Sequence, residues 1–221
     1  MRRKEVLAEG CHYHIFNKSI AGYEIFKLSS EYVRMLNLVC YYQSSKVKTS
    51  FSQFVRLLEI EDAVGEDVLF SSFDRTENLV EVVAYCIMPT HFHFILTQLK
   101  PEGISIFTGN IQNSYSRYFN LKHKRKGPLW EGRFKSILIE SDEQLIHLTR
   151  YIHLNPVTAG LIDKPENWLG SSYKEYLSKS KESICRYENI LEIEPPTYEK
   201  FVEDKINYQE DLVKIKHLIF E

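Results

Sequence analysis

Cysteines are few in this sequence, and their spacing does not pair them. Cys11, Cys40, Cys86 and Cys185 are scattered along the 221 residues, and no C-x-x-C motif occurs. This distribution argues against both a zinc knuckle and a dense disulfide framework. It favours a reduced, cytoplasmic protein.

Long hydrophobic runs are also absent. No uninterrupted apolar stretch approaches the roughly 18 to 20 residues of a membrane span. The charged start of the chain (Arg2, Arg3 and Lys4) is not followed by the apolar segment of a signal peptide. We therefore expect a soluble protein without membrane contact. Its length, with 43% hydrophobic and 13% aromatic residues, predicts one main domain and leaves room for an appended extension.

The chain has little net charge, but the charge is unevenly distributed. A formal net charge of -2 argues against nucleic-acid binding by bulk charge alone. Residues 112–139 nevertheless contain seven lysines and arginines and only one acid, whereas residues 174–221 contain an excess of acids. This pattern is compatible with one polyanion-binding face, although a solvated loop and a solvated tail are the simpler explanation.

Hydrophobic periodicity predicts four strands and three main helices. The strands are expected at residues 11–16, 80–88, 92–96 and 133–140, and the helices at residues 29–43, 102–121 and 143–154. The second and third strands form a hairpin around Pro89-Thr90, and Asn155-Pro156 is expected to stop the last helix. The order β-α-β-β-α-β-α predicts an α+β, ferredoxin-like sandwich with a four-stranded antiparallel sheet.

Two further segments are harder to interpret. The phenylalanines and leucines within residues 44–78 fit a short helix, and the acidic run at residues 59–67 fits a loop. Beyond Ser172, weak helical pieces at residues 173–177 and 201–219 are separated by a predicted break at Pro195-Pro196. We therefore expect a domain of residues 1–172 and a C-terminal helical extension of residues 173–221, whose role the sequence does not indicate.

His91 and His93 begin the third predicted strand. The period of two places both imidazoles on one face and Phe92 on the other. Together with an oxygen ligand, such a pair can hold Mn²⁺ or Mg²⁺. An isolated H-x-H pattern also fits ordinary half-buried histidines, so the assignment needs a third partner. His12 and His14 share one face of the first strand, as core neighbours or as groups that support a ligand.

Tyr151 and Asn155 lie four residues apart and therefore on the same face of the last predicted helix. The amide of Asn155 can supply an oxygen ligand, and the phenol of Tyr151 can attack phosphorus. Each residue alone has a simpler explanation. Asparagine before proline is common at a helix end, and tyrosine on an amphipathic helix usually packs in the core.

Three motifs together resemble the HUH-type single-tyrosine transposases, and in particular the REP-associated tyrosine transposases. They are YCIMPTHFH at residues 85–93, GPLWEGRFKS at residues 127–136, and RYIHLNPV at residues 150–157, followed by Ala159-Gly160-Leu161. The resemblance runs from the first strand to about Ser172. It implies a ferredoxin-like fold, a homodimer, Mg²⁺ or Mn²⁺ held by His91, His93 and Asn155, and Tyr151 as the catalytic nucleophile. Thr90 departs from the family, which commonly has Asn before the first histidine.

The resemblance also implies an activity. A protein of this kind cleaves and rejoins single-stranded, hairpin-bearing DNA through a 5′-phosphotyrosine intermediate. Basic and aromatic side chains suited to bind such DNA are Lys122, Lys124, Arg125, Lys126, Trp130, Arg133, Lys135 and Arg150. Tyr115 and Tyr118 are rival nucleophiles on a helix whose aromatic stripe fits the core better. Three alternatives stay open: a catalytically silent, domesticated DNA-binding protein, an RNA-binding ferredoxin-like module, and a metal hydrolase that uses only the histidines.

Overall fold

The computed structural model describes residues 7–60, 73, 76–180, 183–188 and 190–206. Four strands are present in this part of the chain: β1 (His12–Lys18), β2 (Val80–Met88), β3 (His91–Gln98) and β4 (Lys135–Ile139). Six α-helices accompany them: α1 (Ser29–Gln43), α2 (Phe51–Ile60), α3 (Gly103–Lys122), α4 (Asp142–Thr158), α5 (Tyr173–Tyr176) and α6 (Pro195–Glu203). Two short 3-10 helices span Ile20–Gly22 and Pro165–Asn167. The predicted β-α-β-β-α-β-α order is confirmed. The short helix predicted from the apolar residues of segment 44–78 is also present, as α2.

The four strands form one antiparallel sheet in the order β2-β3-β1-β4. This is the strand order of the ferredoxin-like sandwich, so the predicted α+β fold class is confirmed. Strands β1 and β3 occupy the centre, where each has a partner on both sides. His91 lies opposite Lys18 of β1 and Met88 of β2. The first histidine of the H-x-H motif therefore lies at one end of the sheet, beside the end of β1.

Alternation along β3 sends its side chains to two different layers. Phe92 and Phe94 are fully buried, and Phe94 packs against Phe107 of α3 with ring centroids 6.3 Å apart. His93 is on the opposite face, where its ring centroid lies 6.3 Å from that of Tyr151 on α4. The sheet thus separates an aromatic core under α3 from a face that carries the histidines and is covered by α4.

Helix α4 begins as predicted but ends later than predicted. The side chain of Ser141 caps it by accepting a hydrogen bond from Gln144 N at 3.1 Å. The predicted stop at Asn155-Pro156 is wrong, because the helix continues through Pro156 to Thr158. A proline this close to the C-terminus disturbs few intrahelical bonds, and Ala159 N still donates to Asn155 O at 2.9 Å. Gly160, at a φ of 67°, follows the helix end.

The predicted break at Pro195-Pro196 is also wrong. The two prolines form the first turn of α6, where their missing N–H groups would have no helical partner and their fixed φ suits the helix. The predicted helical piece at residues 201–219 overlaps α6 only at its beginning, and its part beyond residue 206 lies outside the described residues. Of the predicted acidic loop at residues 59–67, residues 61–67 also lie outside them.

The described residues that follow Ser172 pack against β2 and α4. Tyr176 donates a hydrogen bond to Val83 O at 2.9 Å, and Arg186 N donates to Val82 O at 2.9 Å. Tyr173, Tyr176, Tyr198 and Val202 are buried in the same hydrophobic cluster as the strands. None of the helices in the described part of the chain is long and apolar enough to cross a bilayer.

Candidate active site

A pocket of about 300 Å³ opens at the end of the sheet where the H-x-H motif begins. Four parts of the chain contribute to it: the end of β1, the start of β3, the segment that leads into β4, and α4. Its lining residues are Phe16, Asn17, Lys18, His91, His93, Glu131, Lys135 and Tyr151. The two predicted histidine ligands and the predicted nucleophile therefore meet in one pocket.

The two imidazoles stand nearly perpendicular, at 86°, with ring centroids 5.1 Å apart. Each ring is oriented by a hydrogen bond at Nδ1. Thr90 Oγ1 lies 2.9 Å from His91 Nδ1, and His14 Nε2 lies 2.9 Å from His93 Nδ1. These bonds leave the Nε2 atom of each ring as the position for a ligand in the pocket, an arrangement typical of metal-binding histidines. The hydrogen bond between His14 and His93 fits the supporting role that the sequence analysis left open for His14.

The histidines are held in their neutral form. Burial lowers the pKa of His93 to about 3, and His14 and His91 add to this shift. Burial also lowers the pKa of His91, with the nearby Lys18 ammonium as a second cause. The pKa of His14 is lowered by burial to about 4. At neutral pH these rings carry no charge, and their lone pairs are able to coordinate a cation.

Tyr151 combines exposure with proximity to the histidines. Its side chain is 47% exposed, and its ring stands edge-on to His93. Tyr115 is fully buried and donates its hydroxyl to Ile25 O at 2.6 Å, and burial raises its pKa. Tyr118 is half-buried beside Arg34, and its hydroxyl lies 3.2 Å from Lys122 Nζ. The pocket therefore contains Tyr151 and neither of its two rivals.

Asn155, the third predicted ligand, is half-buried on α4 one turn after Tyr151 and is not among the residues that line the pocket. Its Nδ2 atom is buried and has no hydrogen-bond partner in the described part of the chain. An unpartnered buried amide is unfavourable, and rotation of the amide by 180° exchanges its nitrogen and its oxygen. The amide nitrogen therefore makes no hydrogen bond that would oppose this rotation, and this suits a residue that must turn its oxygen to a ligand.

Sequence analysis did not assign four of the lining residues to the site: Phe16, Asn17, Lys18 and Glu131. The antiparallel pairing of β1 with β3 places Lys18 opposite His91. Because the ferredoxin-like order implies this pairing, the sequence contained a signal that could have assigned Lys18 to the site. Glu131 lies in the loop that precedes β4. Its backbone N donates to Lys18 O at 3.0 Å, and its Oε1 lies 3.3 Å from Lys18 Nζ. No sequence periodicity could have indicated that contact.

Five of the predicted DNA-contact residues are exposed: Lys122, Lys124, Lys126, Arg133 and Lys135. Lys124 and Lys126 lie in the loop after α3, and Arg133 precedes β4. Lys135 is the one among them that lines the pocket, and its Nζ lies 5.8 Å from the centroid of the Phe16 ring. The exposed cations thus extend from the pocket along the segment before β4 to the loop after α3.

Lys122 and the three predicted contact residues that are less exposed make specific contacts within the protein. Lys122 pairs with buried Glu31 at 3.3 Å, and Arg125 donates to Pro128 O at 2.7 Å. Trp130 donates its indole N–H to a backbone oxygen of α3 at 3.2 Å and packs on the aromatic core. The guanidinium of Arg150 lies over the ring of Phe201 in α6, 4.0 Å from its centroid. Binding of DNA through these groups would compete with contacts that stabilise the fold.

The fold and the pocket are similar to those expected of a tyrosine transposase, and comparison with known proteins finds the same similarity. Residues 70–155 match the family model described as "Transposase IS200 like". This segment includes His91, His93, Tyr151 and Asn155. A protein of Haemophilus influenzae assigned to the REP-associated tyrosine transposases is 30% identical over 104 residues. The alignment covers 42% of this chain, and the chain spans 58% of the length of that relative.

A solved structure gives an independent comparison of the fold. A REP-associated tyrosine transposase bound to a REP hairpin superposes with a TM-score of 0.52, covering 84% of this chain and 90% of that one. The sequence identity is 15%, so this likeness concerns the fold. The resemblance to tyrosine transposases inferred from the three motifs is confirmed.

Proposed function

We propose that this protein is a divalent-metal-dependent DNA endonuclease and strand transferase whose nucleophile is Tyr151. One observation carries the proposal: an exposed phenol faces two neutral histidines whose Nε2 atoms are available in the same pocket. The matches to tyrosine transposases support this reading over an RNA-binding module, which would need neither the metal nor the phenol.

The donor set fits a hard divalent cation. His91 and His93 would hold Mg²⁺ or Mn²⁺ together with the amide oxygen of Asn155. The orienting bonds at both Nδ1 atoms and the unpartnered amide of Asn155 support this assignment. When bound, the cation supplies charge neutralisation at the scissile phosphate.

The protein's own contribution to the reaction is a positioned nucleophile. The phenol oxygen of Tyr151 attacks the phosphorus in line, and the bond from phosphorus to the 3′ oxygen breaks. The phenol proton leaves to solvent or to a base, and the 3′ oxygen departs as a hydroxyl after it gains a proton. The 5′-phosphotyrosine link retains the energy of the broken bond, so attack by another 3′-OH rejoins the strands.

We propose single-stranded, hairpin-bearing DNA as the substrate. The exposed cations Lys124, Lys126, Arg133 and Lys135 support phosphate binding beside the pocket. Lys122, Arg125, Trp130 and Arg150 are proposed to contribute less, because the fold already engages them. We further propose a cytoplasmic homodimer, with a catalytic domain of residues 1–172 and a C-terminal extension of residues 173–221. None of the four cysteines, all within the described residues, forms a disulfide, and this agrees with a reducing compartment.

An adduct assay tests the proposal. Purified protein is incubated with labelled hairpin oligonucleotides from the DNA that flanks its gene, with Mg²⁺ or Mn²⁺, and is separated on denaturing gels. We expect a covalent protein-DNA band that is absent with chelator and in Tyr151→Phe, and retained in the matched variant Tyr118→Phe. Binding without an adduct under either metal would favour the silent DNA-binding protein. Cleavage that survives Tyr151→Phe would overturn the choice of nucleophile.

A further inference from the structure

The sheet face that carries the histidines has exposed side chains on the β4 side. Helix α4 packs on β2 at one edge of the sheet, and β4 forms the other edge. In the pairing of β1 with β4, Phe16 lies opposite Lys135 and His14 lies opposite Ile137, so these side chains share one face. Ile137 is 51% exposed, and Lys135 is exposed as well. This half of the face therefore presents an apolar and a cationic side chain to solvent.

Phe16 lies at the border between this exposed half and the pocket. Its ring is half-buried and lines the pocket together with Tyr151. The ring centroid lies 4.8 Å from that of His14 and 5.9 Å from that of His93, and the planes of the three rings are inclined to one another by 18° to 30°. Both imidazoles are buried. Phe16 is therefore the member of this nearly parallel group that solvent reaches.

An ammonium group accompanies the Phe16 ring. Lys135 Nζ lies 5.8 Å from the ring centroid. At this distance, on an exposed side chain, a cation–π contact is weak, so the ammonium is able to turn to an anion. Lys18 also lines the pocket, but its ammonium is paired with Glu131 at 3.3 Å. Proteins bind single-stranded nucleic acid with this combination, in which an aromatic ring stacks on a base and a nearby cation contacts phosphate.

We propose that Phe16 is a stacking platform for a base next to the scissile phosphate, and that Lys135 binds a phosphate of the same strand. Ile137 extends the apolar surface along β4. This inference rests on the proposed function, because a strand whose phosphate reaches Tyr151 enters the pocket that Phe16 lines. Stacking is tolerant of base identity, so the platform holds and orients the strand without selecting its sequence.

Binding of two DNA probes in chelator tests the inference, because neither metal nor cleavage is then involved. The first probe is a DNA hairpin with single-stranded thymidine flanks. The second is the same hairpin with abasic flanks, which keep every phosphate and lack the bases. Fluorescence anisotropy at one salt concentration gives the two dissociation constants. We expect the wild-type protein to bind the thymidine probe more tightly than the abasic probe.

Variants assign this preference to the ring. In Phe16→Leu we expect binding of the thymidine probe to weaken about 5- to 150-fold, the loss for one stacked base, and binding of the abasic probe to stay unchanged. Phe16→Tyr keeps the ring and should keep the preference. Lys135→Met should weaken both probes alike and lower the slope of log Kd against log salt by about one. The matched control is Phe54→Leu, which removes a half-buried ring that packs 4.9 Å from Tyr41, outside the pocket.

The outcomes separate this inference from the proposed function. Equal affinity of the wild type for the two probes overturns the platform without any variant, and so does an equal loss for both probes in Phe16→Leu. If the Tyr151 adduct still forms in that case, the proposed function stands. A loss in Phe16→Tyr as large as in Phe16→Leu also overturns the platform, since the ring is then not what binds. A wild-type protein that binds neither probe contradicts the inference and the proposed DNA substrate together.

Discussion

His14 connects β1 to the proposed metal ligand His93 through a single hydrogen bond. Its Nε2 lies 2.9 Å from His93 Nδ1, and its ring packs against those of Phe16 and His93 with centroid distances of 4.8 and 5.1 Å. A bond of this kind fixes the tautomer and the orientation of a ligand imidazole. In the proposed site this side chain would act through His93, as a positioning residue.

We predict that His14→Ala lowers the rate of covalent adduct formation about 10- to 100-fold, because His93 loses the group that orients it. Much of the loss should be recovered at raised Mn²⁺ concentration, which a damaged nucleophile would not allow. His12→Ala is the matched control, since His12 shares the face but bonds Thr97 Oγ1 at 2.8 Å instead. Equal losses in the two variants would contradict a specific role for His14.

At the scale of elements, helix α4 is held against the sheet by the segments that follow it. His153 is fully buried, with Tyr198 Oη 2.7 Å from Nδ1 and Ser172 Oγ 2.7 Å from Nε2. Arg150 adds a hydrogen bond to Phe201 O at 3.3 Å. The helix that carries Tyr151 is therefore fixed on the side away from the pocket by residues of α6 and by Ser172.

We predict that Tyr198→Phe lowers the free energy of unfolding by about 1 to 3 kcal/mol, because it leaves a buried imidazole nitrogen without its partner. Urea denaturation measures this change. Tyr23→Phe removes a hydroxyl from a side chain that is 49% exposed, and it should alter stability by less than about 0.5 kcal/mol. An equal, small effect of both substitutions would show that the bond to His153 adds nothing to the docking of α6.

The elements also show where sequence patterns predict well. Helix α1 follows the predicted boundaries of residues 29–43, although its second half, from Met35 to Gln43, is buried on all sides and not on one face alone. The same reasoning was wrong at Pro156 and at Pro195. Whether a proline stops a helix depends on its distance from the helix end and on the contacts around it, and neither property is local to the sequence.

At the scale of the whole molecule, burial of an uncharged histidine makes stability depend on pH. Burial lowers the pKa of His153 to about 3 in the folded protein, whereas the unfolded chain has a pKa near 6.5. Above pH 6.5 neither state binds the proton. Below it the unfolded state binds the proton and the native state does not, so stability falls as the pH decreases towards the folded pKa.

We predict that the free energy of unfolding, measured in chelator by urea titration, decreases from pH 6.5 to pH 4. In His153→Gln the slope should be shallower by up to about 1.4 kcal/mol per pH unit, the contribution of one histidine. Tyr198→Phe keeps the buried imidazole. It should therefore lower the free energy of unfolding at every pH in this range and leave its dependence on pH unchanged. Identical slopes in the wild type and in His153→Gln would show that this ring is not held neutral.

The sequence by itself determined the order of the elements, the side of β3 that carries both histidines, and the pairing of Tyr151 with Asn155 on one helix face. These properties follow from periods of two and 3.6 residues and from motifs that are contiguous in the chain. Only the tertiary structure decided that Lys18 and Glu131 join the pocket, that Arg150 and Trp130 are engaged by the fold, and that α6 holds α4. Each of these depends on contacts between residues far apart in the chain, and such contacts form only when strands pair and helices pack.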